Sequence, residues 1–176
     1  MLAYFPYLYD DELLYGWFAR YHVHSTNISP KQTMQDLLLK KNAIAVADLP
    51  TNINKIYENI SHFKDSKPLK WIKDHTLYRY YTAFSDEDVK NRVIQTMLLG
   101  TEPRSIHLLL GIMGSSIKDN NYFKYCPKLY SGRFSHKGEA YWRRNHQALG
   151  ALFCLKHNEI LLNASAKLED TINMSM

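Results

Sequence analysis

Acidic residues are almost absent where the ligating and basic residues of this chain concentrate. Between Tyr122 and Asn158 seven cationic side chains (Lys124, Lys128, Arg133, Lys137, Arg143, Arg144 and Lys156) face one carboxylate, Glu139. The segment carries +6 and the rest of the chain −1, so the overall +5 belongs to one region. That scarcity of carboxylates excludes a hard-cation site for magnesium or calcium there. The same excess of positive charge points to an anionic partner.

Other absences narrow the class further. No apolar run approaches the ~18 residues of a membrane span, and the opening MLAYFPYLYDDELL lacks the basic and apolar regions of a secretion signal. A cytoplasmic protein is expected. Only two cysteines occur, Cys126 and Cys154, and a reducing compartment makes metal binding or free thiols the expected states rather than a disulfide. Internal repeats and low-complexity tracts are missing. H-E-x-x-H is missing too, as is H-x-E paired with P-C-x-x-C, and no nucleophile, base and oxyanion stabiliser can be assembled. A non-enzymatic protein is expected.

What is present is helical periodicity. Leu13, Leu14, Trp17, Phe18 and Tyr21 form a 3.6-period stripe behind acidic Asp11 and Glu12, predicting a first helix from Asp11. Ser29-Pro30 reads as an N-cap with proline in the first turn of a second helix, to about Lys40, that buries Met34, Leu37 and Leu38. Lys41 to Pro50 reads as a loop, and Thr51 as the cap of a third helix to about Phe63, with Ile53, Ile56, Tyr57 and Ile60 on one face. A short helix is expected over Leu69–Asp74, and a longer one capped at Ser85 and stopped by Gly100. The stretch from His75 to Phe84 is ambiguous in type, and Ile106 to Met113 reads equally as helix or core strand. A turn over Lys118–Asn121 leads into the basic segment. The expected architecture is mainly α: a helical domain over 1–118 with a helix-turn-helix-like start, a small zinc-ribbon-like module over 119–165 and a flexible tail over 166–176.

Cys154 and His157 are spaced C-x-x-H, a loop that presents a thiolate and an imidazole to one tetrahedral ion. Cys126 can supply a third ligand, but Leu129, three residues later, cannot supply a fourth. His136 and His146 are the candidates for that place. These donors suit zinc; the alternative is a metal-free loop in which the cysteines are small buried apolar residues.

Arg143 and Arg144 beside Tyr141 and Trp142 form a candidate phosphate clamp, since guanidinium groups bind phosphate bidentately and a ring can stack on a sugar or base. Against this, large rings usually serve burial first. On the second helix, Lys31, Gln32 and Gln35 lie opposite Met34 and Leu38, and glutamine can read adenine in the major groove. The break of about six residues before that helix is longer than the three to four usual in a helix-turn-helix.

FPYLYDDELLYGWFARYHVHSTNISPKQ, DHTLYRYYTAF, IHLLLGIMGSSIKDNNYFKYCP and GEAYWRRNHQALGALFCLKH, in this order and spacing, resemble the TniQ family, in particular its TnsD-like target selectors of transposition. The resemblance implies an adaptor that binds an attachment site in duplex DNA and recruits the transposon's AAA+ ATPase. Other members of the family dock onto an RNA-guided effector complex instead. It also implies the ligand pattern C-x-x-C…C-x-x-H, falling on Cys126, Leu129, Cys154 and His157, so this chain departs from the pattern at Leu129. TnsD-like members continue into further DNA-binding domains, which makes a fragment or a short member the expectation. Two readings follow: a DNA-binding target selector, and a protein-interaction module that recruits the ATPase without reading DNA itself.

Overall fold

Residues 2–39, 46–63, 67–100, 106–112, 121–131 and 138–167 are described by a computed structural model. Helix α1 (Leu14–His24) is followed by α2 (Pro30–Leu38) and α3 (Ile53–Ile60), the last running into a 3₁₀ turn over Ser61–Phe63. Next come α4 (Pro68–His75), α5 (Tyr78–Tyr81), α6 (Glu87–Leu99) and α7 (Ile106–Leu109). Strand β1 (Tyr122–Tyr125), α8 (Pro127–Ser131), α9 (Arg144–Gln147) and strands β2 (Phe153–Cys154), β3 (Glu159–Ile160) and β4 (Leu162–Lys167) complete the order. The chain is mainly α, as expected, with two small antiparallel sheets, β1–β4 and β2–β3.

Several local signals act as read. The Ser29 hydroxyl accepts the Gln32 N–H, capping α2, and Pro30 takes the first helical position. Gly100 ends α6 at φ 65, a left-handed conformation open to glycine, and a side chain there would also strike Asn52. Other boundaries shift. The cap of α6 is Asp86, whose carboxylate accepts the Val89 N–H, one residue after the expected Ser85. Asn52, not Thr51, stands at the start of α3, in a left-handed conformation without a side-chain cap. The ambiguous stretches after His75 and Ile106 are short helices, α5 and α7. The expected turn at Lys118–Asn120, the loop residues 40–45 and residues 168–176 lie outside the described residues.

Helix α1 starts three residues later than its acidic flank suggested. Asp11 takes a positive φ of 57, and Glu12 bridges in β fashion to Arg143. Backbone bonds from Leu13 N–H to the Trp142 carbonyl and from Arg144 N–H to the Asp11 carbonyl, both 2.7 Å, close that bridge. As a result α1 is buried on both sides. Trp17 packs edge-on against Trp71 of α4 and against Phe5, while Tyr15 stacks on Phe123 of β1, which stacks on Trp142. Trp142 lies against α1 at Gly16, where an added Cβ would stand 3.4 Å from the Trp142 backbone nitrogen. An amphipathic stripe predicts one buried face; the second is covered by segments more than 100 residues away.

Candidate metal centre and its basic surroundings

The C-x-x-H loop is the tip of a hairpin. Cys154 pairs with Glu159 across β2–β3, and the turn is closed by Asn158 N–H to the Cys154 carbonyl at 2.8 Å, with Asn158 at φ 51. Across from it Cys126 sits at the junction of β1 and α8. There its carbonyl accepts the Tyr130 N–H, and the backbone N–H groups of Leu129 and Lys128 point at its sulfur. The thiol, imidazole and thiol donors of Cys126, His157 and Cys154 lie within 4.8 Å of one another. Both cysteines are free and buried.

The geometry fits zinc. Zn–S bonds of about 2.3 Å and a Zn–N bond of about 2.0–2.1 Å at a tetrahedral angle separate sulfur from nitrogen by about 3.6 Å. His157 Nδ1 stands 3.6 Å from each sulfur. Burial lifts the Cys126 thiol above its ordinary value, an effect to which neighbouring Cys154 adds, while the two backbone N–H groups favour the thiolate. Leu129 packs against the cysteine pair and offers no donor. Of the two histidines considered for the fourth place, His136 lies outside the described residues. His146 lies on α9, is buried, and stands apart from the three-donor group. Its imidazole is held neutral, with its pKa lowered to about 4 chiefly by burial and next by the charge of Arg143.

Helix α9 is fixed by its neighbours on both sides of His146. The Gln147 amide acts like an adjoining strand for β1: its oxygen accepts the Lys124 N–H and its nitrogen donates to the Lys124 carbonyl, both at 2.9 Å. Arg144 donates to Asp11 at 3.3 Å and to the Lys73 carbonyl at 3.2 Å. Arg143 pairs with the other Asp11 oxygen and donates to the Tyr141 hydroxyl. The two arginines therefore have an acidic partner, which sequence reasoning missed because it comes from more than 130 residues upstream. Trp142 is packed against the core cluster.

The other candidate nucleic-acid contacts are distributed rather than gathered. Lys31, Gln32 and Gln35 all lie on the exposed face of α2. Lys124 donates through its ammonium to the Ala151 carbonyl and Lys128 pairs with Glu159, whereas Lys156 is exposed at the hairpin tip. Arg133 and Lys137 lie outside the described residues.

A polar cluster invisible to sequence reading joins the basic segment to α1. Arg20, 1% exposed, donates through Nη1 to both carboxylate oxygens of buried Glu12 at 2.8 and 2.9 Å and through Nη2 to Glu139 at 2.6 Å. Glu139 accepts the Tyr9 hydroxyl at 2.9 Å and meets His24 Nε2, and the Arg20 guanidinium lies 4.0 Å above the Tyr9 ring. Burial raises the Glu12 carboxyl to about 7, against the pull of Arg20 and the Tyr9 N–H. Burial also acts on Glu139, but hydrogen bonds from Arg20 and Tyr9 outweigh it and leave that carboxyl below its ordinary value. The lone carboxylate of the basic segment thus serves a structural ion cluster.

Among the described residues no helix is long and apolar enough to cross a membrane. Comparison with known proteins gives a relative 28% identical over 157 residues, the transposon Tn7 transposition protein TnsD of Escherichia coli. The match covers 89% of this chain and 31% of that protein, so the chain spans about a third of the relative's length. The TniQ family profile matches residues 3–161, from the segment before α1 to the end of the cysteine hairpin. With the profile running through both the helical core and the Cys126–His157 centre, the chain belongs to the TniQ family.

Proposed function

We propose that this chain selects target sites in transposition, binding attachment-site DNA and recruiting the transposon's AAA+ ATPase without catalysing a reaction itself. The TniQ match over nearly the whole chain carries this reading, and the similarity to a Tn7 transposition protein supports it. Zinc held by Cys126, Cys154 and His157 would supply cross-links that fix the hairpin against α8, a structural role.

DNA binding is supported by the local charge of +6 and by the exposed Lys31, Gln32 and Gln35 face of α2. Arg143 and Arg144 contribute to this as sources of positive field, because a direct phosphate contact by either would compete with Asp11. Lys124, Lys128, Arg133 and Lys137 complete the basic set. The test is binding of the purified chain to duplex DNA carrying attachment sequences, measured by fluorescence anisotropy across salt concentrations. Affinity falling steeply with salt, with a slope reduced by about 1 in Lys31→Ala, is the expected result. Binding that ignores salt, or none, rejects the DNA-reading role.

One observation favours a second reading, a docking module that recruits the ATPase or an RNA-guided complex while leaving DNA to other domains. Leu152, Phe153, Leu155 and Ile160 of the hairpin are 52–94% exposed, an apolar display suited to a protein partner. Co-purification with the ATPase, with and without DNA, decides it: association lost in Leu155→Asp supports docking through the hairpin, and failure to associate under either condition removes it.

A further inference from the structure

We propose that His146 is the fourth ligand of the metal centre, closing Cys126, Cys154 and His157 into a Cys₂His₂ site in place of residue 129. The inference rests on the zinc reading above and adds a residue outside the C-x-x-C…C-x-x-H pattern.

Three observations carry it. First, the three donors already in place have the separations of a tetrahedral zinc site lacking one corner: His157 Nδ1 is 3.6 Å from both sulfurs, and Leu129 brings no donor. Structural zinc is almost always four-coordinate, so a fourth donor is required. Second, His146 is 7% exposed, yet its ring makes no hydrogen bond among the described residues. Its ring nitrogens are therefore uncommitted to a protein partner among the described residues and open to a metal. Third, the short helix that carries it is anchored beside the centre. Gln147 holds both backbone groups of Lys124, two residues before Cys126, and Arg144 is tied to Asp11, so α9 stands against the strand that delivers the first thiol.

The His146 ring lies outside the 4.8 Å group in the structure. The proposal requires the ring to turn toward the group about its side-chain torsions. No other histidine or cysteine of the described residues joins the group.

The test uses the full chain loaded with one equivalent of zinc, or of cobalt(II) as a spectroscopic probe. X-ray absorption is expected to show two sulfur and two nitrogen donors, and cobalt(II) to give the intense visible bands of a tetrahedral site. His146→Ala should lower zinc affinity by more than the roughly 10–100-fold that loss of an outer-shell partner costs. Adding Leu129→Cys to His146→Ala should restore it with three sulfurs and one nitrogen, which shows that the variant still folds. A native site of two sulfurs, one nitrogen and one oxygen, with affinity unchanged in His146→Ala, overturns the role of His146 and leaves zinc binding standing. A native chain that binds no zinc, while Leu129→Cys alone does, overturns both.

Discussion

Around Trp17 and Trp71, 23 buried side chains among the described residues form one continuous core, whereas the separate cluster around Cys126 and Cys154 has three buried members. The large cluster draws on α1 to α4, α6, the N-terminal segment and β1, and apolar burial there is extensive enough to specify the packing. The small one leaves Leu152, Phe153, Leu155 and Ile160 in solvent and pairs only two residues per strand. A hairpin of that size is marginal unless something besides apolar contact holds it. The same family fold thus contains a region held by extensive apolar packing and a small one whose Cys126, Cys154 and His157 donors could hold a metal ion.

The strongest way to break this comparison is to damage the large core. Trp71→Ala removes a fully buried ring that touches Trp17 and Tyr57, and is expected to cost about 3–5 kcal/mol. Chemical denaturation followed by circular dichroism should show one cooperative transition at lower denaturant. An unchanged midpoint would mean that the core does not carry the stability.

Arg20 comes next. Arg20→Leu leaves Glu12 buried and without its cation, at a cost of about 3–5 kcal/mol, whereas the double change Arg20→Leu and Glu12→Leu should recover most of that loss. A double variant as unstable as the single one would show that the pair contributes more than mutual neutralisation.

Metal sharpens the comparison from the other side. Chelation of a zinc-loaded chain should broaden the nuclear magnetic resonance signals of Phe153, Leu155 and Ile160 while leaving Trp17 and Trp71 sharp. Leu129→Cys should raise zinc affinity by more than about tenfold by adding a thiolate beside the cysteine pair. No gain would mean that the α8 turn cannot deliver a donor from position 129.

The smallest effect is one of pH. The ring of buried His75 donates through Nδ1–H to the Glu12 carbonyl, and burial lowers its pKa from the ordinary 6.5. The unfolded chain therefore binds more protons on this residue below about pH 6.5, so its share of stability is present above that pH and lost as pH falls through the folded value. Melting temperatures of the native chain and His75→Gln should converge as pH drops below 6.5. Parallel curves would remove His75 from the acid response.

The sequence was readable where the determinants are local. Ser29-Pro30, Gly100 and the C-x-x-H loop each act within a few residues, and each stands where its chemistry predicts. It was unreadable where a partner arrives from far away. Arg20 on an amphipathic helix looks like a solvent-facing cation, and only the approach of Glu139 and Glu12 makes burial tolerable. Arg143 and Arg144 looked poor in acidic partners because Asp11 is more than 130 residues distant. The second buried face of α1, carrying Tyr15 and Gly16, was hidden for the same reason.

The bridge between Asp11–Leu13 and Trp142–Arg144 also bears on synthesis. Its two halves are synthesised about 130 residues apart, and closing so long a loop must be offset by contacts that form only when both are present. Until Trp142 has emerged from the ribosome, one side of α1 has no cover, and Tyr15 is left as a sticky surface on the nascent chain. A truncation ending before the bridge would be an arrested folding intermediate with an open flank, rather than a smaller finished domain.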